Sequence, residues 1–451
     1  MKINFIHYIA LVLLVCSVGL LSGCKDDNEH NAGNPVVVNR FYPTNGSAGT
    51  EILITGKNFT TKVDEVSVMV GNIPLTIIGC DMNNIMAIVP ARMGDGPLKI
   101  SIAGREPVAT IENFVYSFAA NVSTFAGNGE AGYQDGKGAE AMFHLDVTEE
   151  DDVNWTYGPW QRGSICVDND GNVYVGEAGN VCIRKITHDG TVTTLAGFAG
   201  QRGYTDGTGV QARFSNLYGM DTDAAGNIYV TETGNSSIRQ ITPEGVVTTL
   251  GNTNNQPWAL AVDKQNGDIY YTHPATGVWK FNRDGADTQV SANESALLCM
   301  GIAVDNDGDI YISEAANNGV HRIVKCTRMG DTSWERSVLA GNTDQAYVNG
   351  SFSEARFSFP GGLAIGPDGN VYVAGNGAYG GDSKNADQSI RVLDLQNRVV
   401  RTVAGSSLAG YNDANGSAAT FSGPEDIAVD KNGLIYVLDR KNNVVRKIVY
   451  E

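Results

Sequence analysis

Residues 35 to 118 alternate between apolar and polar side chains in short runs, and Gly, Asn and Pro separate the runs. A period of two places successive side chains on opposite faces of a strand, and these runs contain no helical spacing of apolar positions. The clearest strands are predicted at 36–38, 52–54, 66–70, 85–89, 98–102 and 114–116. Six or seven short strands in this length predict a small antiparallel sandwich.

From residue 164 onward a longer unit recurs, in which a strand, an Asp-x-x-Gly turn and a second strand precede two further strands. In the first unit these strands are predicted at 165–168, 171–175, 183–186 and 192–197. The turn glycine and the tyrosine three residues after it recur as Gly171 and Tyr174, Gly226 and Tyr229, Gly267 and Tyr270, Gly308 and Tyr311, Gly369 and Tyr372, and Gly433 and Tyr436. Four strands per unit at steps of 41 to 64 residues are typical of β-propeller blades.

The last unit ends after its third strand, whereas a matching outer strand stands ahead of the first unit, at 122–127. Its sequence is similar to the outer strands that end at Gly197, Gly341 and Gly405. A blade shared by the two ends of the domain removes exposed sheet edges. We therefore expect six blades over 119–451, closed by the N-terminal outer strand.

A second pattern lies between an outer strand and the next inner strand. Its copies are Gly132-Tyr133-x-Asp135-Gly136 with Ala141 and Phe143, Gly203-Tyr204-x-Asp206-Gly207 with Ala212 and Phe214, Tyr347-x-Asn349-Gly350 with Ala355 and Phe357, and Tyr411-x-Asp413 with Ala419 and Phe421. Four copies at one spacing indicate a structural role, with the loop packing on itself.

The chain begins with Lys2 and an apolar run over 8–21, which is too short to span a bilayer. Leu21-Ser22-Gly23-Cys24 resembles a bacterial lipobox, which implies a signal peptide over 1–23, acylation of Cys24 and a polar tether over 24–34. The next residues, Lys25-Asp26-Asp27, resemble the Bacteroidetes signal that sends lipoproteins to the outer face of the outer membrane. An ordinary secretory signal is the alternative.

Two domain families are similar to the remaining chain. Residues 43–50, followed by Ile52, Ile54, Gly56 and Asn58-Phe59, resemble the opening of IPT/TIG domains, which implies an Ig-like spacer or adhesion module over 35–118. The repeated unit resembles the NHL repeat, with its Asp-x-x-Gly-Asn-Ile-Tyr-Val core and an arginine in the third strand. The expected fold is thus all-β, an IPT/TIG sandwich followed by a six-bladed NHL-type β-propeller.

The net charge and the cysteine spacing limit the ligands and sites that the sequence favours. The net charge of −18 makes nucleic acid an unfavourable partner and favours a neutral or cationic ligand. Beyond Cys16 and Cys24, five cysteines are scattered without C-x-x-C spacing, so we expect them to be buried apolar residues.

No catalytic constellation, cofactor motif or metal-ligand spacing is recognisable, and the histidines fall at unlike positions of the repeat. The Asp-x-Asp-Gly fragments at 168–171 and 305–308 lack the further ligands of a calcium loop and predict tight turns. Structural ion pairs are expected between Glu177 and Arg184, Glu232 and Arg239, Glu314 and Arg322, and Asp439 and Arg446.

Two insertions occur once each and are therefore candidates for function. Residues 147–163 contain Trp155, Tyr157 and Trp160, and residues 375–388 contain Tyr379. Propeller topology puts both insertions, and Trp258, on one rim. Aromatic faces beside amide and carboxylate acceptors suit a neutral sugar. The alternative is that these aromatic side chains only shield the end of the propeller from solvent.

The leading hypothesis is a lipid-anchored protein of the cell surface that captures a neutral polysaccharide, with components of an outer-membrane importer as possible partners and no contact with the membrane beyond its lipid anchor. Protein–protein adhesion or scaffolding is the alternative, and a metal-dependent lyase or hydrolase is a third possibility.

Overall fold

The computed structural model describes residues 30, 33–90, 93–117, 120–147, 163–292, 297–316, 319–330, 332–342, 345–376 and 387–450. They form two compact units, one within residues 1–118 and one within 119–450. Both units consist of β-strands, which confirms the all-β prediction. The helices in these residues are short 3-10 turns at Val63–Glu65, Gly138–Glu140, Gly209–Gln211, Thr233–Asn235, Gly416–Ala418 and Arg440–Asn442. None of them is long and apolar enough to cross a bilayer.

The first unit is a sandwich of two sheets, with strand orders β1-β3-β7-β6 and β2-β9-β8-β4-β5. Its strands are β1 (Val37–Tyr42), β2 (Asn45–Gly46), β3 (Glu51–Lys57), β4 (Val66–Val70), β5 (Ile73–Pro74), β6 (Thr76–Cys80), β7 (Asn84–Ile88), β8 (Gly96–Ile102) and β9 (Val108–Tyr116). The alternation along β3 and β8 puts side chains such as Ile52, Ile54, Leu98 and Ile100 into the core between the sheets.

Phe59 shows why the opening of this unit needs its glycine. The ring is fully buried, as expected from the Asn58-Phe59 pair. A Cβ on Gly56 would lie 2.1 Å from the Val37 carbonyl oxygen and 2.3 Å from the Phe59 ring. Glycine at this position therefore allows β1 and the ring to approach β3 closely.

The second unit contains the remaining strands. They are β10 (Ala120–Ala126), β11 (Gly136–Lys137), β12 (Ser164–Val167), β13 (Val173–Glu177), β14 (Cys182–Ile186), β15 (Thr191–Ala196), β16 (Gly207–Thr208), β17 (Leu217–Thr222), β18 (Ile228–Glu232), β19 (Ser237–Ile241), β20 (Val246–Asn252), β21 (Leu260–Val262), β22 (Ile269–His273), β23 (Gly277–Lys280), β24 (Thr288–Ala292), β25 (Leu298–Val304), β26 (Ile310–Ala315), β27 (His321–Gly330), β28 (Ser333–Asn342), β29 (Gly350–Ser351), β30 (Pro360–Ile365), β31 (Val371–Gly375), β32 (Gln388–Asp394), β33 (Val399–Ser406), β34 (Pro424–Val429), β35 (Leu434–Asp439) and β36 (Val444–Tyr450).

These strands form sheets 1 to 6, whose first strands are β12, β17, β21, β25, β30 and β34. We call these the inner strands, because each contacts the next in this order and β34 contacts β12. Sheet 6 has the order β10-β36-β35-β34, so its outer strand comes from the start of the unit. In that pairing Ala120 lies opposite Tyr450, and Val122 lies opposite Ile448.

Sheets 1, 2 and 5 each carry a fifth strand of two residues, which the four-strand pattern did not predict. The extra strands β11, β16 and β29 begin at the glycine that ends the Gly-Tyr-x-Asp-Gly pattern or its variant. Each pairs with the outer strand of its sheet, as in Gly136 opposite Val192. The loop therefore covers part of an edge that would otherwise be unpaired.

The same loop encloses a buried arginine from the third strand of the sheet. In sheet 1, Arg184 is fully buried and its Nη1 lies 2.5 Å from Glu177, while its Nη2 lies 2.7 Å from Asp135. The guanidinium carbon lies 5.0 Å from the ring centre of Tyr133 and 5.2 Å from that of Phe143. Two backbone carbonyls of the loop accept its other hydrogen bonds. We call this arrangement the arginine cage.

Three further sheets contain the cage. Its members there are Arg239 with Glu232, Asp206, Tyr204 and Phe214, Arg391 with Asp387, Asn349, Tyr347 and Phe357, and Arg446 with Asp439, Asp413, Tyr411 and Phe421. The repeated loop thus has a structural role, as its four copies predicted.

The predicted ion pairs form, but two sheets depart from the pattern. Arg322 lies directly opposite Glu314 in the strand register, rather than at the caged position, where sheet 4 has Val324. In sheet 5, Gly375 ends the second strand, and the carboxylate comes from Asp387 instead. A Cβ on Gly375 would lie 2.6 Å from that carboxylate, so the glycine makes room for it.

Removing one caged arginine tests this account. We expect Arg239→Met to lower the free energy of unfolding by about 3 to 5 kcal/mol, because Glu232 would stay buried without its cation. Adding Glu232→Met should recover part of that loss. Lys137→Met, which breaks the exposed pair with Asp189, should cost far less. Urea unfolding of the four proteins measures these differences, and equal losses from the buried and exposed pairs would contradict the cage.

Candidate ligand-binding site

The six inner strands surround a cavity of about 390 Å³. Residues of every inner strand line it, so its shape depends on how neighbouring strands are held together. Side-chain hydrogen bonds connect neighbouring sheets here. The Thr222 hydroxyl donates to the Val167 carbonyl at 3.1 Å, and the Ser313 hydroxyl donates to the Gly361 carbonyl at 2.6 Å. The Val262 amide donates to Asp221 at 2.8 Å.

Asp426 ties sheet 6 to sheet 1. Its Oδ2 accepts hydrogen bonds from the Ser164 hydroxyl at 2.6 Å and from the Ile165 amide at 3.0 Å, and its Oδ1 accepts from the Ile427 amide at 2.9 Å. Burial raises the pKa of Asp426 to about 6, although these hydrogen bonds favour its charged form. A half-buried carboxylate that lines the cavity is therefore part of the junction between the last and first sheets.

The cavity has two ends, and the Asp-x-x-Gly turns lie where the inner strands end. In the first turn, the Asp168 carboxylate accepts hydrogen bonds from the amides of Asp170 and Asn172 and from the Tyr174 hydroxyl, all at 2.9 Å. Asp223 and Asp305 have the same role. These carboxylates close turns, as their spacing predicted.

The other end, where the inner strands begin, is the strand-start mouth. Tyr218, Trp258, Met300 and Phe359 pack together there, and we call these four side chains the apolar floor. Tyr218 and Trp258 stack with ring centres 4.9 Å apart and planes inclined by 22°. Tyr218 and Met300 also line the cavity. Two inner strands and the loops before two others thus contribute apolar surface to one place.

Trp258 is the one predicted site residue that lies among the described residues. Its amide donates to the Thr272 carbonyl at 2.7 Å, and its carbonyl accepts from the Thr231 hydroxyl at 2.5 Å, so the backbone is held on both sides. It lies at the expected end of the cavity, but its side chain is only 6% exposed. Trp258 is therefore a buried support rather than the open stacking face that we expected, and a ligand contact by its edge stays a prediction.

The other predicted site residues fall outside the described residues. They are Cys24, Trp155, Tyr157, Trp160 and Tyr379. The roots of both insertions are described, however. Asp146 directly precedes the first insertion and Gly163 ends it, while Asn376 and Asp387 lie one residue inside the two ends of the second.

Polar side chains that the sequence reasoning missed connect these roots. The Asn376 side-chain amide donates to Glu425 Oε2 at 2.5 Å, and Arg440 Nε lies 3.2 Å from the same oxygen. Arg440 Nη1 donates to the Asp146 carboxylate. Glu425 lines the cavity. Asp146 and Arg440 are 294 positions apart in sequence, so no local pattern could have indicated their contact.

Buried polar atoms also gather at this mouth. Asn216 Oδ1, His321 Nε2 and Asn376 Oδ1 have no hydrogen-bond partner among the described residues. His321 Nδ1 accepts from the Phe359 amide at 2.9 Å, which leaves the proton on Nε2. Burial lowers the pKa of His321 to about 4, so the ring is neutral near pH 7. Two acceptors and one donor are thus available beside the apolar floor.

The described residues contain no group of three or more His, Cys, Asp or Glu side chains suited to a metal ion. Cys166, Cys182, Cys299 and Cys326 are buried, and Cys80 is partly buried. Burial raises the pKa of the Cys166 thiol well above its usual range, which fits an unreactive apolar role.

Comparisons with known proteins agree with this architecture. Residues 35–116 match the IPT/TIG domain family, and residues 421–448 match the NHL repeat family, which confirms both domain types predicted from the sequence. The Arabidopsis thaliana protein SUPPRESSOR OF QUENCHING 1, chloroplastic, is 23% identical over 329 residues, which are 63% of this chain and 30% of that protein. The chain thus spans less than a third of this curated relative.

Two solved structures are similar over nearly the whole chain. A Bacteroides thetaiotaomicron protein of unknown function has 22% identity and a TM-score of 0.61, with 94% of this chain and 100% of that chain covered. An auxiliary nutrient binding protein from the same organism has 23% identity and a TM-score of 0.53, with 94% and 99% covered. At these identities the likeness establishes the fold alone, namely an IPT/TIG domain with an NHL-like propeller.

The half-buried carboxyl of Asp426 predicts a pH dependence of propeller stability. Its pKa rises from an ordinary value of 3.8 to about 6 on folding, so the folded state binds this proton more tightly than the unfolded chain. The stabilisation is complete below pH about 4 and is lost as the pH rises through about 6. We expect the stability of the wild type relative to Asp426→Asn to fall by about 3 kcal/mol across this window.

Denaturant unfolding at several pH values measures that difference. Thr222→Val is the matched control, because it removes an uncharged tie between inner strands. Its difference from the wild type should stay constant, and a constant difference for Asp426→Asn as well would refute the assignment.

Proposed function

We propose that this protein is a cell-surface binding protein that captures an extracellular ligand, a neutral polysaccharide, at the strand-start mouth of its propeller. One observation carries this proposal: the apolar floor lies beside buried polar atoms, of Asn216, His321 and Asn376, that lack partners among the described residues. A sugar presents an apolar C–H face and hydroxyls that both donate and accept hydrogen bonds, so it fits such a surface.

Charge supports a neutral ligand. The chain has a net charge of −18, and the cavity lining includes Asp221, Asp426 and Glu425. An anionic glycan would be repelled by this field, whereas a neutral one would not. Arg440 lies beside Glu425 and Asp146, so its charge is compensated within the mouth.

The lipobox-like residues Leu21-Ser22-Gly23-Cys24 support a location at the cell surface. We infer that Cys24 is acylated and that the protein faces the cell exterior from the outer membrane, where importer components are potential partners. The similar solved structure named an auxiliary nutrient binding protein is in keeping with such a role. Binding without turnover is part of the proposal, and no cofactor or metal is required for it.

Adhesion is the second candidate, and the IPT/TIG domain offers a specific reason for it. Tyr42, Leu53 and Met86 lie opposite one another across β1, β3 and β7. Tyr42 is 75% exposed, Met86 is 38% exposed, and Ile78 on the neighbouring strand is 46% exposed. An exposed apolar row on a sheet favours protein contact. This role predicts capture of an outer-membrane protein and no affinity for sugars.

We also propose that sheets 1 to 6 are six blades and that β10 closes the ring. The pairing of β10 with β36 supports this closure, because it supplies the outer strand that sheet 6 lacks. Deletion of residues 122–127 should unfold the propeller, since the last sheet would lose its outer strand. Asn121→Asp at an exposed position of the same strand is the control. Calorimetry tests this prediction, and a deletion protein that melts like its parent would refute closure.

Isothermal titration against laminarin, galactomannan, xyloglucan and host glycans tests the binding proposal. We expect measurable binding to at least one neutral glycan and a loss of about tenfold in affinity for Trp258→Ala, because the floor would lose its stacked ring. Trp155→Ala and Trp160→Ala should also weaken binding. Trp334→Ala, which removes a ring packed edge-on against Tyr270 between sheets 3 and 4, is the matched control. No binding to any glycan would overturn the proposal.

A further inference from the structure

The two insertions have separate roots in the sequence, yet one chain of polar contacts joins them. It runs from Asp146 through Arg440 and Glu425 to Asn376. Asp146 stands just before the first insertion, and Asn376 is the second residue of the second insertion. We call these four residues the root relay. Three separate segments of the second unit therefore meet at one guanidinium and one carboxylate.

Each end of the root relay is also fixed by its backbone. The Leu145 amide donates to Asn443 Oδ1 at 2.9 Å, three residues beyond Arg440. The Asn376 amide donates to the carbonyl of Phe359, a member of the apolar floor, at 3.1 Å. A displacement of Arg440 would thus shift the first insertion root through Asp146. It would also shift the second insertion root and the apolar floor through Glu425 and Asn376.

Arg440 suits this bridging role because its two contacts use different nitrogens. Nη1 donates to Asp146, and Nε lies 3.2 Å from Glu425 in an ionic contact that lacks hydrogen-bond geometry. A planar guanidinium spreads its charge over three nitrogens, whereas a lysine ammonium is one point charge on a flexible stem. The Arg440 side chain is 16% exposed, and those of Glu425 and Asp146 are 4% and 29% exposed. The contacts are therefore partly shielded from water, where ion pairs are stronger than at an open surface.

We propose that Arg440 is a positioning residue for ligand binding, which holds both insertion roots and the apolar floor in one preorganised geometry. This inference rests on the proposed function, because it assigns the relay to the same mouth. A preorganised site loses less conformational freedom when it binds, so the relay raises affinity without touching the ligand. The two insertion roots are consequently coupled, so a substitution at one root alters the conformation of the other.

The first arm of the test needs no ligand. Hydrogen exchange of the Asn376 amide is measured by mass spectrometry in the wild type, Asp146→Asn and Arg440→Gln. We expect faster exchange at Asn376 in both variants, although Asp146 does not contact Asn376. Arg401→Gln is the matched control, since it also removes one positive charge, which pairs with Asp394 on sheet 5. Unchanged exchange at Asn376 in both relay variants would overturn the inference.

The second arm measures affinity for the glycan that binds the wild type most tightly. Arg440→Gln should weaken binding by roughly five- to tenfold, and Arg440→Lys should resemble it, because one ammonium cannot hold both carboxylates. Full rescue by lysine would contradict the bridge, since charge alone would then suffice. Melting temperatures of all variants exclude general unfolding as the cause.

The two arms separate the two hypotheses. If Asn376 responds to Asp146→Asn but no glycan binds, the relay is supported and the proposed function fails. If a glycan binds and Asn376 does not respond, the proposed function stands and the relay is refuted.

Discussion

The buried arginine of each cage fixes the loop that leads towards the start of an inner strand. In the cages of sheets 2, 5 and 6, the loop that contains the tyrosine, the acid or amide, and the phenylalanine continues directly to the inner strand. Phe214 is followed by Asn216 and Tyr218, Phe357 by Phe359, and Phe421 by Glu425. Asn216, Tyr218, Phe359 and Glu425 of the strand-start mouth therefore stand two to four positions after a ring that is packed on a guanidinium. The repeated loops that build the cages thus also lead to residues of the candidate site.

A buried ion pair is expensive to form, because both charges leave water, and a hydrophobic replacement is often as stable. In the cage, Arg184 recovers part of this cost through a second carboxylate, two backbone carbonyls and two aromatic faces. The hydrogen bonds of the arginine cage are directional, so they fix the loop in one register, which apolar packing alone would not do. The same reasoning applies to Asp426, whose hydrogen bonds align two neighbouring inner strands.

The fold was largely predictable because its signals are local and repeated. Turn glycines, tyrosines at a fixed offset and alternating apolar residues predicted most of the longer strands, whereas β6 and the two-residue strands were not predicted. The Arg391–Asp387 pair escaped prediction because Gly375 takes the usual place of the acid. The burial of Trp258 depends on Tyr218 and Phe359, which belong to other sheets. The root relay joins residues from distant parts of the chain. What a sequence pattern cannot supply is contact between elements that are far apart along it.

The pairing of β10 with β36 has a consequence for synthesis of the protein. The first strand of the second unit pairs with the last strand of the chain's described part, with more than three hundred residues between them. As the ribosome adds sheets 1 to 5, each can assemble with its neighbours, but β10 has no strand partner until β36 has emerged. Sheet 6 is therefore the last sheet of the second unit that can be completed during synthesis.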